Sequence, residues 1–429
     1  MTTFSPHHTR EPDSPARIAV VGAGILGICT ALSLKRQGFE VTLFDGQGLA
    51  QGCSKGNAGH FATEQVFPLA DKRLLLQLPK MMLSPTGPFR INAAYFFKAL
   101  PWFTRFILNM RHSKALQHTR TLRSLNETAL EAYHELLANS QLKHLICKQG
   151  SLLLFESTSD KEIQRQFQAY RNQGVAVDLL NPKQVTELEP HLSTRVKAAL
   201  HFTHVGHTCD PERFAIELAR EFQQLGGKFV QQNVTALLPH PSGVQIKYKS
   251  GNERYHKAVL AAGVWSKSLL SPLGYKVPLE AERGYHLMIG QRNLLSRPVA
   301  SAERKFIMTP MASGLRLSGT VEFAGIDADM NEARAAALLP HAKTLLKHLQ
   351  FQTVDACDKW MGCRPSLPDS LPVIGQAPNH PHLYLAFGHQ HLGLTQGAIT
   401  AKLITELLSG QTPSLDLKPF SLSRFIRAC

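Results

Sequence analysis

The longest apolar stretch of the chain runs from Ile18 to Leu34 and is interrupted by three glycines. Its length alone makes it a weak candidate for a membrane span, and the glycines point elsewhere. Arg17-Ile-Ala-Val-Val21 carries β-branched residues without polar alternation, the pattern of a strand buried on both faces. A helix is predicted from there through Leu34, stopping near Gly38, and Glu40-Val-Thr-Leu-Phe44 predicts a second strand ending at Asp45. Farther on, Asp210 followed by proline opens a helix over Pro211 to Leu225. Ala258 to Gly263 reads as a short strand ending in small residues. Leu383 to Gly410 gives a strand, a glycine-bracketed loop and an amphipathic helix. "GSLLLFES" from Gly150, "KAALHFTH" from Lys197 and "GYHLMIG" from Gly284 have the look of sheet strands.

A chain of 429 residues exceeds what one core usually serves, so two domains are expected. Hydrophobic content of 43% and charged content of 18% describe a globular protein rather than a disordered one. The net charge of +15 favours an anionic partner: nucleic acid, a lipid surface or an acidic ligand. The seven scattered cysteines contain no C-x-x-C pair, which speaks against structural zinc and for a reducing, cytoplasmic compartment. Met1 to Ala16 is polar, lacks the apolar segment of a signal peptide, and reads as a loose tail. There is no internal repeat or low-complexity tract.

The glycines supply the first chemistry. Gly22-Ala-Gly24-Ile25-Leu26-Gly27 matches G-x-G-x-x-G between strand and helix, a dinucleotide fingerprint. Gly22 permits the tight turn, Gly24 lets a pyrophosphate approach the backbone, and Gly27 lets helix and strand pack. Asp45 stands where a ribose hydroxyl needs an acceptor. Gly388-His-Gln-His-Leu-Gly393 makes a second strand-to-helix junction able to aim helix-start amides at a polar or anionic group.

In combination, four motifs carry a family likeness. They are the fingerprint, the G-N-A-G loop at Gly56–Gly59, the small-residue strand before Trp265, and G-x-R-P-x-x-P-D-x-x-P-x-I-G from Gly362 to Gly375. The chain resembles the flavoprotein amino-acid oxidases and dehydrogenases of the D-amino-acid oxidase and glycine oxidase type, the bacterial D-amino-acid dehydrogenases nearest, over about Arg17 to Gly410. The resemblance implies an α/β fold: a Rossmann-like FAD-binding domain with a second, antiparallel-sheet substrate domain. The expected FAD-binding segments are 17–65, 209–265 and 355–429, and the substrate segments are 66–208 and 266–354. It implies that Gly52, Gly56 and Gly59 let the loop lie close to the flavin, with Ser54, Lys55, Asn57 and Ala58 near its phosphates and His60 reaching ring and substrate. Val234, Ala262, Gly263 and Trp265 would flank the nucleotide, and Gly388, His389, Gln390, His391, Leu392 and Gly393 the flavin. Arg364 would clamp the substrate carboxylate, and Tyr285 would add a hydrogen bond from the pocket roof while His286 points away. Cys363 is one position off the cysteine that bonds flavin in some relatives, so FAD is expected to be non-covalent.

Each assignment has a plainer alternative. Lys55 reads equally as an exposed loop cation, His60 as a partly buried histidine holding its loop, and Tyr285 as a core aromatic. Arg364 could pair with Asp369 or another acid, and His389 and His391 could serve the loop itself. His204 and His207 beside Cys209 lack a further ligand, and no metal is expected. Ile91 to Lys114 mixes aromatics with cations, suiting either a peripheral contact with the inner membrane or a packed helix pair broken at Pro101. The expected reaction is hydride loss from Cα of a D-amino or cyclic imino acid, with quinone or oxygen as acceptor. An RNA-modifying flavoprotein and a non-catalytic flavin subunit are the competing classes; nucleic acid is disfavoured because no RNA-binding module is present. The small and apolar residues of "HFATEQVFPLA", with only Glu64 and Glu282 as candidate acids, favour D-proline or a hydroxy-D-proline.

Overall fold

The computed structural model describes residues 15–72, 87–350 and 353–426, so the Met1–Ala16 tail lies almost wholly outside the described residues. One sheet of six strands runs in the order Val373–Ala377, His380–Phe387, Lys257–Leu260, Arg17–Val21, Glu40–Phe44, Lys228–Val230. All neighbours are parallel except the first pair. Strand Arg17–Val21 explains its own sequence. Ile18 and Val20 pack against helices Ile25–Arg36, Pro211–Gln224 and Gly393–Leu408 on one face. Ala19 and Val21 pack on the other face against the three-stranded meander of residues 234–255. Covered on both sides, Ile18 to Val21 leave no position for a polar side chain, and Arg17 sits at the strand's part-exposed end beside Glu40 and Glu253. The helix Pro211–Gln224 starts as expected, with the Asp210 carboxylate accepting the Arg213 N–H at 2.9 Å.

The second large sheet is mostly antiparallel and is built around strand Glu280–Ile289, flanked by Gly314–Phe323 and Asp358–Ser366. Residues 151–155 and 198–202, expected as strands, extend it, and so do residues 177–180, which the sequence reading did not mark. Asp358–Ser366 falls in the 355–429 segment expected with the nucleotide sheet, yet it pairs along its whole length with Glu280–Ile289. The two sheets meet where the chain leaves that strand. The Gln390 N–H donates to the Pro365 carbonyl at 3.2 Å, and its side-chain amide donates to the Leu367 carbonyl at 2.9 Å. The fold is therefore mixed α/β, a Rossmann-like parallel sheet beside antiparallel ones.

Pro101 does not break its helix, which runs unbroken over Phe96–Asn109. The carbonyl that loses its helical partner belongs to Phe97, and that residue is 79% exposed, so water can satisfy it. Trp102 and Phe106 turn inward onto Phe323, while Phe96, Phe97, Leu100 and Ile107 remain exposed.

Candidate active site

A cavity of ≈ 720 Å³ opens at the carboxyl ends of strands Arg17–Val21 and Glu40–Phe44, where open α/β sheets bind ligands. Two helix starts face it. Gly24 precedes helix Ile25–Arg36 and Leu392 precedes helix Gly393–Leu408; neither provides a side-chain cap, and neither first turn carries an acid. Gly24, Ile25, Gly393 and Leu394 all line the cavity. Among the described residues no lysine or arginine lines it. An anionic linkage would thus be held by backbone amides and the positive ends of two helices. The Ile25 N–H donates to Ser54 Oγ at 2.8 Å, so a hydroxyl oxygen sits where such an anion would accept. Asp45 lines the cavity and accepts from the Ala23 and Gln47 N–H groups at 2.8 and 2.7 Å, which fixes its carboxylate in the turn. Val234, Ala262, Gly263 and Trp265 form the far wall. Asn233 and Thr235 stand beside Val234 there; their polar side chains were not singled out in the sequence because only the strand pattern marked that stretch. This donor set fits a dinucleotide with an anionic centre, as FAD has.

The G-N-A-G loop is held mainly by residues that its own sequence does not reveal. The Asn57 side chain accepts the Gly59 N–H at 2.8 Å. The half-buried Arg316 guanidinium donates to the carbonyls of Lys55 and Asn57. Burial lowers that guanidinium to about 10, which leaves it charged at neutral pH. His286 Nδ1 lies 3.1 Å from the Gly56 carbonyl, and its ring stacks on Trp360 with centroids 5.1 Å apart. Burial, then the Arg316 charge, pushes His286 down to about 3. The ring is therefore neutral, and its Nδ1 must carry the proton to donate to Gly56.

The glycines of the loop serve this clamp as much as the cofactor. A Cβ on Gly56 would lie 2.2 Å from the Trp360 ring. Gly59 has φ +70°, and a Cβ there would lie 2.3 Å from the Thr208 carbonyl oxygen. Of the three, only Gly52 lines the cavity, together with Cys53, Ser54 and Asn57. Lys55 is a correction. Its ammonium lies 3.4 Å from Glu212 at the start of helix Pro211–Gln224 and does not line the cavity. Ala58, Gly59 and His60 do not line it either. Leu26, Gly27, Gly388 and Leu392 also stand back from the cavity wall: Leu26 and Leu392 are core, and the two glycines allow close packing.

Tyr285 is the second correction. Its buried hydroxyl donates to Glu322, and Glu322 lies 3.5 Å from the buried Arg283 guanidinium. His286 occupies the face expected for Tyr285. The reason is legible in retrospect, since Tyr285 shares its strand face with Leu287 and Ile289, which belong to the sheet's apolar underside. The opposite face carries Glu282, Gly284 and His286, and Arg364 and Trp360 stand across from Glu282 and His286 in register. Arg364 Nη1 donates to Glu282 Oε1 at 3.1 Å, so the acid it meets is Glu282 and not Asp369, which pairs with Arg424. Ser366 Oγ donates to the other Glu282 oxygen at 3.2 Å. A Cβ on Gly284 would lie 2.4 Å from the Arg364 guanidinium carbon, so glycine there leaves the floor bare for that group. Arg364 keeps 24% of its side chain exposed.

The histidines of the Gly388–Gly393 loop divide. His389 lines the cavity while its Nε2 lies 3.0 Å from Thr400 Oγ1, and burial lowers it to about 3. His391 is lowered to about 4, first by burial, and it feels Glu282, Arg364 and His60. His60 is itself buried, with Nε2 3.7 Å from Glu64 Oε1. Gln390 takes φ +52° to turn the loop beneath Pro365.

The family described as FAD dependent oxidoreductase matches residues 17–407. The chain is 34% identical over 415 residues to a D-amino-acid oxidase of Bradyrhizobium diazoefficiens, covering 95% of this chain and 99% of that protein. It is 26% identical over 420 residues to a D-amino acid dehydrogenase of Vibrio atlanticus, covering 95% and 100%. The crystal structure of glycine oxidase from Geobacillus kaustophilus shares the fold, with a TM-score of 0.73 at 21% identity over 96% of this chain and 100% of that one. A cleft built for an anionic dinucleotide and a match over nearly the full length agree: this chain belongs to the FAD-dependent amino-acid oxidase and dehydrogenase family and uses FAD.

Proposed function

We propose that the chain oxidises a small D-amino acid or cyclic imino acid at Cα, with D-proline or a hydroxy-D-proline favoured. When bound, FAD accepts the Cα hydride, and the product is an imine. The observation that carries this reading is Arg364. Its guanidinium is part-exposed over the bare floor of Gly284 and spends one N–H on Glu282, so the rest of the planar fork is available to a carboxylate. Glu282 is engaged by Arg364 and Ser366, which leaves it unsuited to a basic substrate side chain. Glu64 and His60 are the polar groups that remain for a ring hydroxyl. The neutral imidazole of His391 supports a site where the carboxylate meets one cation and little else.

Non-covalent FAD agrees with the thiols beside the cavity. Burial raises Cys53 to about 12 and raises Cys363 as well, so neither is a ready nucleophile. For the electron acceptor, both quinone and oxygen remain in this reading. Exposed Phe96, Phe97 and Ile107 beside Lys98 and Arg105 support a peripheral contact with an anionic membrane. No helix among the described residues is long and apolar enough to cross one. Sedimentation with anionic vesicles, weakened by salt and by Phe97→Ser, is the expected result; equal binding to zwitterionic vesicles would remove the electrostatic part.

The substrate test compares initial rates on D-proline, cis-4-hydroxy-D-proline, D-alanine and D-arginine, each against its L-isomer, with a dye acceptor and a parallel peroxide assay. The cyclic D-substrates are expected to lead. Preference for D-arginine or for any L-isomer would overturn the pocket reading and leave the flavin enzyme intact.

A further inference from the structure

We propose that His60 and Glu64 carry the proton released by the substrate nitrogen to a second cavity, on the far side of the loop, where solvent takes it. The inference rests on the reading above, in which the substrate meets Arg364. Glu64 is 3% exposed, yet its Oε2 has no hydrogen-bond partner among the described residues. The same is true of His60 Nε2, 3.7 Å from Glu64 Oε1. A small torsion of the carboxylate closes that gap to a hydrogen bond. Gln65 donates to Glu64 Oε1 at 3.4 Å, but unpaired buried polar atoms cost free energy, and two of them side by side call for a reason.

Position supplies the reason. Glu64 lines a cavity of ≈ 490 Å³ that shares no lining residue with the cofactor cavity. Arg123, Glu127, Glu131, Lys148 and His204 also line it beside apolar Val66, Leu130, Val175 and Val205, so charged groups edge a cavity that water can enter. On the other side, His60 lies within electrostatic reach of His391, and His391 feels Arg364 and Glu282. In this proposal the pair links the neighbours of Arg364 to a cavity edged by charged groups. Its backbone is fixed on both flanks. His60 pairs with His207 in a short antiparallel bridge. Asn126 donates to the Gln65 carbonyl at 2.9 Å and accepts from Gln396 at 2.8 Å.

The proton balance is simple. A substrate ammonium must lose one proton before its Cα–H bond can be oxidised to an imine. The substrate N–H bond breaks as His60 Nδ1–H forms; the Nε2–H bond breaks as the Glu64 O–H forms. Glu64 then releases that proton to water in the second cavity, and a half-turn of the His60 ring aims its remaining N–H at Glu64 and its bare nitrogen at the next substrate. No electrons move in these steps. Burial sets both groups for the task. Glu64 is raised to about 7, and His60 is lowered to about 4 and so is neutral between transfers. The charged or titratable groups around Glu64 are His60 and His207 on the paired strands and the five lining residues just named.

The test uses FAD-loaded protein and any amino or imino acid that reduces the wild-type flavin. Flavin reduction and dye-detected proton release are followed in one anaerobic turnover across pH, for wild type, Glu64→Gln and Glu64→Asp. Wild type should gain rate as pH rises through about 7, because Glu64 must be ionised to accept. Glu64→Gln should lose that limb and fall at least about tenfold, with proton release lagging reduction; Glu64→Asp should restore the limb. Infrared titration of the substrate-free protein should show a carboxylic-acid band with a midpoint near 7 that Glu64→Gln removes. An unchanged pH limb in Glu64→Gln, or no such band, overturns the path alone. A wild-type flavin reduced by no amino or imino acid overturns the substrate reading and the path with it.

Discussion

Gly27→Ala is expected to give a colourless protein. A Cβ at residue 27 would stand 1.7 Å from the Gly22 carbonyl oxygen, a backbone atom that no side-chain rotation can move aside. Helix Ile25–Arg36 would have to lift from strand Arg17–Val21, carrying Gly24 and Ile25 away from the cavity they line. A loss above about 3 kcal/mol is the scale for such overpacking against rigid backbone, which is more than about a hundredfold in FAD affinity where all of it falls on the binding geometry. Gly24→Ala is the control. Its Cβ would lie 3.3 Å from Ser54 Oγ, which can rotate away, so the apo fold should melt normally while bound FAD is lost to the methyl group in the anion path. Flavin absorbance after dialysis and melting curves with and without added FAD separate the two. Yellow, normally melting Gly27→Ala would show that the helix does not need that contact.

The same contrast explains what could be read from the sequence. The nucleotide half was legible because its determinants are local. Strand, turn, helix and second strand follow one another within residues 17–45; Gly27 meets the backbone of Gly22, and Gly22 meets the end of the strand beside it at Ala261. The strands of the antiparallel sheet were legible as strands for the same reason. Their faces were not. Whether Tyr285 or His286 meets the loop is decided by Trp360 stacking on one side and Leu287 and Ile289 joining the core on the other. The loop clamp was hidden for a related cause, since Arg316, His286 and Trp360 arrive from three different strands. Lys55 misled because a cation beside a glycine-rich loop suggests a phosphate, whereas Glu212 offers it a carboxylate at 3.4 Å. Among the described residues the anion's place is served by amides instead.

Arg364→Lys is expected to cripple turnover while FAD stays bound. The arginine stands opposite Glu282 in an antiparallel pair, and one of its nitrogens is committed there at 3.1 Å. If the rest of the fork grips the substrate carboxylate, lysine fails twice over. Its single ammonium cannot serve Glu282 and a substrate in the same plane, and its point charge lacks the paired geometry. Loss of a desolvated charged hydrogen bond amounts to about 2–5 kcal/mol, or about 30- to 5,000-fold in kcat/KM. Gly284→Ala should mimic it in part, because a Cβ 2.4 Å from the guanidinium carbon must displace that group without altering its charge. Glu282→Gln tests the other half of the pair. It keeps one acceptor oxygen for Arg364, with the Ser366 hydroxyl turning to accept from the new amide, but removes a negative charge next to the incoming carboxylate, so KM should fall or hold while kcat drops through looser positioning. A purely structural Arg364 would behave differently. Its substitution would lower the melting temperature and flavin content together, and Lys would rescue more of the activity than Gln. Unchanged kcat/KM in Arg364→Lys with full FAD would end the role assigned to this arginine.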